Sequence, residues 1–178
     1  LDTTIRIPEN RENTALLRRT ETDVPRGTLL PSAPDFDDDG LRELVLNRSA
    51  SGGLSDSLRS YEWSGTGFAL ADSLRARLFP RDVGDTNRDG RQELLLQVRG
   101  GTLLLEQGRP RAFPDSLVFA DTVGNGTSLE DVANGARLGD LDADGRGEVL
   151  ATSARRIVGF ERGDAGFSRS FELSNPTS

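Results

Sequence analysis

Residues 138–150 read Leu-Gly-Asp-Leu-Asp-Ala-Asp-Gly-Arg-Gly-Glu-Val-Leu, and related copies of this stretch begin at Asp85 and Asp35. Counted from Asp140, Asp85 and Asp35, each copy has oxygen-bearing side chains at positions 1, 3 and 5, glycine at 6 and glutamate at 9. An apolar run follows each copy. Clustered oxygen ligands suit a hard cation such as Ca²⁺, which takes about six to eight oxygens in adaptable geometry. The repeat therefore predicts three cation-binding loops.

The composition excludes several classes of function. The 178 residues carry a net charge of −7, and all 22 basic residues are arginine, so no concentrated basic face for nucleic acid is predicted. Histidine, cysteine and lysine are absent, which removes the usual general base, thiol nucleophile and Schiff-base amine. An enzyme therefore has no support in the sequence. No apolar run reaches the length of about 18 residues that a membrane helix needs, so membrane insertion is not expected.

The spacing of the loops predicts a repeat architecture. Asp35 and Asp85 are 50 residues apart, and Asp85 and Asp140 are 55 apart, with an insert at 123–134 that lengthens the second unit. Each unit shows about four short apolar or alternating segments separated by glycine-rich turns, and none shows helical periodicity. Short, regularly spaced strands in repeats of this length are typical of propeller blades. The predicted fold is therefore all-β, a partial β-propeller of about three four-stranded blades with calcium-loop hairpins.

The predicted boundaries follow these units. Residues 1–27 form an N-terminal extension with one strand, which we expect to complete a neighbouring blade. Blade 1 covers 28–75, blade 2 covers 76–134 and blade 3 covers 135–173. Residues 174–178 form a tail.

The residues that follow each loop separate it from other calcium motifs. An EF-hand needs its bidentate acid at position 12 and an exiting helix, but Leu46, Leu96 and Ala151 occupy that position within β-like runs. Cysteine-stapled acidic repeats are excluded because cysteine is absent. Glycine-rich nonapeptide repeats are excluded because no second copy lies nine residues away.

The remaining pattern, an acidic loop within a β-hairpin, resembles the FG-GAP or VCBS repeats, the calcium-binding blades of integrin-α-like propellers. The resemblance covers about residues 28–173. It implies up to three bound Ca²⁺, held by side chains at positions 1, 3, 5 and 9 and by the backbone carbonyl at position 7. The implied ligands are Asp35, Asp37, Asp39, Leu41 and Glu43; Asp85, Asn87, Asp89, Arg91 and Glu93; and Asp140, Asp142, Asp144, Arg146 and Glu148.

The chain departs from the family pattern in three ways. All three loops have glutamate at position 9, where the family has aspartate. Pro34 precedes the first loop, whereas Gly84 and Gly139 precede the others as the family expects. The family's Gly-Ala-Pro after the second strand is missing. The third loop therefore matches best, the second next because Asn87 lowers its charge, and the first last.

A metal-free interpretation is also available. The aspartates could bond to backbone N–H groups in acidic hairpin turns. Three loops that each point four oxygen side chains inward would repel strongly without a cation, which favours metal binding.

The resemblance implies a calcium-stabilised adhesion or interaction module located outside the cell, on its surface or in the periplasm. The expected partners are a protein or glycan ligand, or further blades of the same or another chain. One alternative is a propeller module, catalytic or not, of a polysaccharide-active protein. Another is an architectural repeat in a surface filament or assembly.

Residues outside the loops offer little for catalysis or sugar binding. Trp63, Tyr61 and Phe68 form an aromatic group that we expect to pack between blades rather than to stack on carbohydrate. Glycosidase chemistry needs two facing carboxylates. The sequence pairs no two of the acids that we assign outside the loops, which are Glu62, Asp72, Asp115, Asp121, Glu130 and Glu161.

Three blades do not close a ring, because propellers contain about four to eight. The chain begins at Leu1 without a methionine, which predicts a segment of a longer propeller. Copies of the chain could instead assemble into a homo-oligomer. We therefore expect the isolated chain to associate through its terminal blades.

Overall fold

A computed structural model describes residues 30, 32–48, 57–75, 78–98, 101–121, 135–153 and 156–174. Across these ranges all regular structure is β-strand and no helix is present, which confirms the all-β prediction for the described part of the chain. Accordingly, no helix long and apolar enough to cross a membrane occurs in these ranges. The strand predicted within 1–27 and the insert at 123–134 lie outside the described residues.

The described strands form three antiparallel sheets. Sheet one contains β1 (Leu44–Arg48), β2 (Ser57–Trp63) and β3 (Phe68–Leu74). Sheet two contains β4 (Phe79–Gly84), β5 (Glu93–Val98), β6 (Gly101–Glu106) and β7 (Ser116–Asp121). Sheet three contains β8 (Gly135–Gly139), β9 (Glu148–Thr152), β10 (Arg156–Gly163) and β11 (Gly166–Ser174).

In each sheet, neighbouring strands in space are also neighbours in sequence, so every connection is a hairpin. The strands after each acidic stretch lie where the sequence predicts them. β11 extends to Ser174, one residue into the predicted tail. Leu30 donates its backbone N–H to the Val45 carbonyl at 2.8 Å, so the chain just before the first loop lies beside β1.

Two hydrophobic clusters hold the sheets together. The first lies between sheets one and two, and its buried members are Leu30, Phe36, Val45, Leu58, Leu78, Leu94, Leu96, Leu105 and Phe113. The second lies between sheets two and three, and its buried members are Leu95, Leu104, Phe119, Ala136, Val149, Ala151, Val158 and Phe160. Because successive side chains on a strand point to opposite faces, β5 contributes to both clusters. This explains why its sequence is a continuous leucine run rather than an alternating one.

The acidic stretches occupy equivalent places in the three sheets. We name them loop one (35–43), loop two (85–93) and loop three (140–148). Loop two joins β4 to β5, loop three joins β8 to β9, and loop one leads into β1, the strand equivalent to β5 and β9.

Candidate metal centres

The loop backbone turns back on itself through two left-handed residues. The glycines at position 6 have positive φ, with values of 89° at Gly40, 82° at Gly90 and 85° at Gly145. Position 4 is also left-handed in every loop, at Asp38, Arg88 and Ala143. The left-handed conformation at position 4 was not predicted, because none of the three residues there is glycine. Together the two residues curl each loop so that alternate side chains point inward.

Carboxylate oxygens converge inside each loop. Three groups have ligand atoms that all lie within 4.8 Å of one another: Asp35, Asp37 and Asp39; Asp85, Asp89 and Glu93; Asp140, Asp142 and Glu148. Oxygens bound to one Ca²⁺ lie about 2.3–2.6 Å from it, so two of them are at most about 5 Å apart. The spacing would therefore allow the carboxylates of each group to hold one metal ion.

The glutamate at position 9 is buried in every loop and accepts the backbone N–H of position 2. Glu93 accepts from Thr86 at 2.6 Å and Glu148 accepts from Leu141 at 2.7 Å, each through one oxygen. Glu43 is approached through both oxygens by Phe36 N–H, at 3.2 and 3.1 Å. These bonds fix the carboxylate beneath the loop and leave lone pairs for a cation.

A second glutamate faces each position 9 from the adjacent strand. Glu148 on β9 is directly opposite Glu161 on β10. In sheet one Leu44 pairs with Tyr61, so the next position of the same register places Glu43 opposite Glu62. Asp37, Glu43 and Glu62 form a further group with oxygens within 4.8 Å of one another. Like charges facing each other across a strand pair are destabilising, so a cation between them would stabilise the sheet.

Glu62 and Glu161 lie outside the loops, on β2 and β10, but these strands bring both carboxylates beside loop acids, which the sequence analysis did not predict. A signal for Glu161 was present in the sequence, because Glu106 follows Glu93 by the same 13 residues that separate Glu161 from Glu148. Since hairpin neighbours face each other, this equal spacing could have placed Glu106 and Glu161 opposite position 9, whereas Glu62 follows Glu43 by 19 residues and shares no such signal.

The aspartates also bond to the backbone of their own loops, as the metal-free interpretation expects. Asp35 accepts the N–H groups of Asp39 at 3.2 Å and Gly40 at 3.1 Å. Asp85 accepts the corresponding groups in loop two. A carboxylate oxygen that accepts one N–H keeps a lone pair, so these bonds orient the ligands without excluding a cation.

Position 7 is predicted to contribute its backbone carbonyl at Leu41, Arg91 and Arg146, and this stays a prediction. The side chains at this position serve other contacts. Leu41 is exposed. Arg91 donates to Asp89 within loop two, with Nε 3.0 Å from Oδ2. Arg146 donates to Asp164 at 3.0 Å.

Electrostatics differ between loops one and two. Burial, with a smaller contribution from the nearby Asp37 and Asp35, raises the pKa of Glu43 to about 7. Desolvation and the acids of loop one also raise the pKa of Glu62. Desolvation alone would raise the pKa of Asp89, but hydrogen bonds from Arg91 outweigh it and lower that pKa. In loop one Glu43 and Glu62 therefore face other acids, whereas in loop two Arg91 pairs with Asp89.

Each of the first two loops is also held by the sheet that follows it. Gln107, just after β6, donates its amide to the Phe36 carbonyl of loop one. Arg162 on β10 donates to the Thr86 hydroxyl of loop two at 3.2 Å. Gly147 of loop three donates its N–H to the Thr86 carbonyl at 3.0 Å. Position 2 of these two loops is thus fixed by the next sheet.

We predict that Gly147→Ala will destabilise the protein by about 1–3 kcal/mol. A Cβ at this position would lie 2.9 Å from the Thr86 Cα and 2.8 Å from its Cγ2, so loops two and three would have to separate. Urea unfolding of Gly147→Ala and Gly67→Ala measures the effect, because a Cβ at Gly67 would meet no atom within 4 Å. Equal stability of the two variants would contradict the close approach of the loops.

The aromatic group lies elsewhere than predicted. Trp63 and Phe68 meet edge to face at the tip of the β2–β3 hairpin, with ring centroids 5.3 Å apart. Both rings and that of Tyr61 are half-buried. None of the three belongs to the two core clusters, contrary to the prediction that they pack in the core.

No protein-family model matches the chain, and no curated protein or solved structure matches it. The interpretation of the loops therefore depends on their own geometry.

Proposed function

We propose that the chain is a calcium-stabilised interaction module built of three propeller blades of the FG-GAP or VCBS type. One observation carries the proposal: the same five-acid arrangement stands at the same place in sheets one and three. In sheet three the arrangement comprises Asp140, Asp142, Asp144, Glu148 and Glu161. Ordinary surface turns have no reason to repeat such a costly arrangement.

The mechanism is structural. Bound Ca²⁺ supplies two positive charges where the loop acids and the opposing glutamate meet. Glu148 holds the loop backbone through its bond from Leu141, while Asp142 groups with acids on both sides, Glu148 and Glu161. The loop, β9 and β10 are thereby fixed relative to one another, and the remaining loops are free to contact a ligand.

Isothermal titration calorimetry with CaCl₂ tests this function. We expect saturable binding of more than one ion, with dissociation constants of about 10⁻⁴ to 10⁻³ M, the range of extracellular modules. Mg²⁺ should bind more weakly because it demands octahedral geometry and keeps its waters. Absence of binding at several times these concentrations would overturn the proposal.

Sites of this strength fill only in calcium-rich surroundings, so we place the protein outside the cell, at its surface or in the periplasm.

The proposal includes a partner on the outer side of loop three. Position 2 is 4% exposed at Phe36 and 1% exposed at Thr86, where the following sheet covers it, but 57% exposed at Leu141. Within the described residues, no sheet follows sheet three. A further blade of the same or another chain would cover Leu141 as sheets two and three cover its equivalents.

We predict that the isolated chain self-associates and that Leu141→Asn weakens the association about tenfold or more. Burying a leucine side chain contributes about 1.5–3 kcal/mol, and about 1.4 kcal/mol is tenfold in affinity. Sedimentation equilibrium measures the association constants. Leu117→Asn is the control, since this leucine is also 57% exposed but lies on sheet two. A native chain that stays monomeric at all concentrations would contradict the prediction.

A glycan ligand is the second candidate, in line with a module of a polysaccharide-active protein. Trp63 and Phe68 present half-exposed rings at a hairpin tip. A half-exposed aromatic face suits stacking against a sugar ring. Glycan-array binding that is lost in Trp63→Ala would support it, and unchanged or absent binding would count against it.

A further inference from the structure

We call each loop together with the glutamate that faces its position 9 a site: site one is loop one with Glu62, site two is loop two with Glu106, and site three is loop three with Glu161. Site two differs from its neighbours in how its charge is balanced. Four carboxylates surround loop two, those of Asp85, Asp89, Glu93 and Glu106, and two guanidinium groups contact them. Site one and site three each gather five carboxylates. In the part of the chain that the structure describes, no ion pair joins an arginine to any acid of those two sites.

Arg162 supplies the second guanidinium from the next sheet. Its Nη1 lies 3.4 Å from Oε1 of Glu93, which is fully buried, and its Nη2 lies 3.5 Å from Oε2 of Glu106. The guanidinium also sits over the Phe167 ring, 5.7 Å from the centroid, and its side chain is only 18% exposed. An arginine held this firmly between two facing glutamates occupies the place where sites one and three bring acids together.

Asn87 completes the difference. The equivalent residues Asp37 and Asp142 each belong to two acid groups, one with the loop and one with the opposing glutamate. The Asn87 amide instead donates to Asp89 and to Glu106, both at 3.2 Å. Glu106 is thereby tied to neutral and cationic donors rather than to other acids.

We propose that Arg162 is a built-in cation for site two, so that loop two holds its shape without calcium while loops one and three depend on the ion. The inference rests on the proposed function, because it divides the three calcium sites into two classes. The sequence motif ranks loop two above loop one as a calcium site, and this proposal reverses that order. Arg162 also bridges sheets two and three, so its contacts keep these sheets joined when calcium is scarce.

Calcium titration of the native chain, Arg162→Gln and Arg162→Met tests the proposal. Met retains an apolar stem against Phe167 and guards against an effect of lost packing. Arg156→Gln, also on β10 and paired with Glu172 at 3.5 Å, is the matched control. We expect two sites in the native chain that bind at least about tenfold more tightly than the third, and a third site that tightens about tenfold when Arg162 loses its charge. The control should resemble the native chain.

A second set of variants identifies which site binds calcium more tightly when Arg162 loses its charge. In Asp37→Asn/Asp142→Asn, where only site two keeps its full acid set, adding Arg162→Met should restore measurable calcium binding. Three equal sites in the native chain, or no change in either Arg162 variant, would overturn the inference and leave the proposed function standing. No calcium binding to the native chain at any site would overturn both.

Discussion

Asp142→Asn is expected to lower the calcium affinity of loop three by about tenfold or more and to raise the stability of the calcium-free protein. Asp142 has oxygens within 4.8 Å of two acid groups, one with Asp140 and Glu148 and one with Asp144 and Glu161. Removing its charge keeps the shape of the side chain and relieves repulsion from both groups. The same substitution removes a ligand when calcium is present.

The order of the melting temperatures of Asp142→Asn and the native chain should therefore reverse when calcium is added, and few other structural effects produce such a reversal. Without calcium, Asp142→Asn should melt at a higher temperature than the native chain; with saturating calcium it should melt at a lower one. Asp164→Asn serves as the control, because its side chain is 96% exposed and, among the described residues, contacts Arg146 alone. A variant that is less stable than the native chain under both conditions would show that Asp142 serves the metal-free turn alone.

Leu95→Ala is expected to destabilise the protein by about 2–5 kcal/mol. Leu95 is fully buried in the cluster between sheets two and three, which also contains Leu104, Val149 and Val158. Truncation leaves a cavity at the joint between two sheets that share no backbone ladder within the described residues. Because a domain is stable by only about 5–15 kcal/mol, this loss is a large share of the total.

Urea unfolding in saturating calcium measures the change against Leu117→Ala, whose exposed side chain should contribute less than about 0.5 kcal/mol. A single transition that shifts in Leu95→Ala would indicate that sheets two and three unfold together. A small effect, or an early transition that leaves one sheet folded, would contradict a shared core.

The sequence predicted what local rules determine. The glycine at position 6 and the strand after each loop follow from turn geometry and the period-2 pattern, and the structure agrees at Gly145 and β9. The leucine run at 93–98 forms β5, as the β-like pattern after the loop predicted. These features depend on residues a few positions apart.

The parts that the sequence did not predict depend on pairing between strands and between sheets. Glu62 and Glu161 join the loop acids only because β2 and β10 fold back along the preceding strand. Arg162 reaches Glu93 across 69 positions, a contact that no motif announces. The aromatic group was misplaced because an amphipathic ring such as that of Trp63 suits a hairpin tip as well as a core.

Thermal unfolding with calcium and with chelator tests the central claim most directly. Calcium at about 100 times its dissociation constant stabilises by about 2.7 kcal/mol per site. Two dependent sites should therefore raise the melting temperature by roughly 10–20 °C, given about 2–4 °C per kcal/mol for a chain of this length. The native chain should show this rise, and Asp37→Asn/Asp142→Asn should lose most of it. Equal melting temperatures of the native chain in calcium and in chelator would contradict the account.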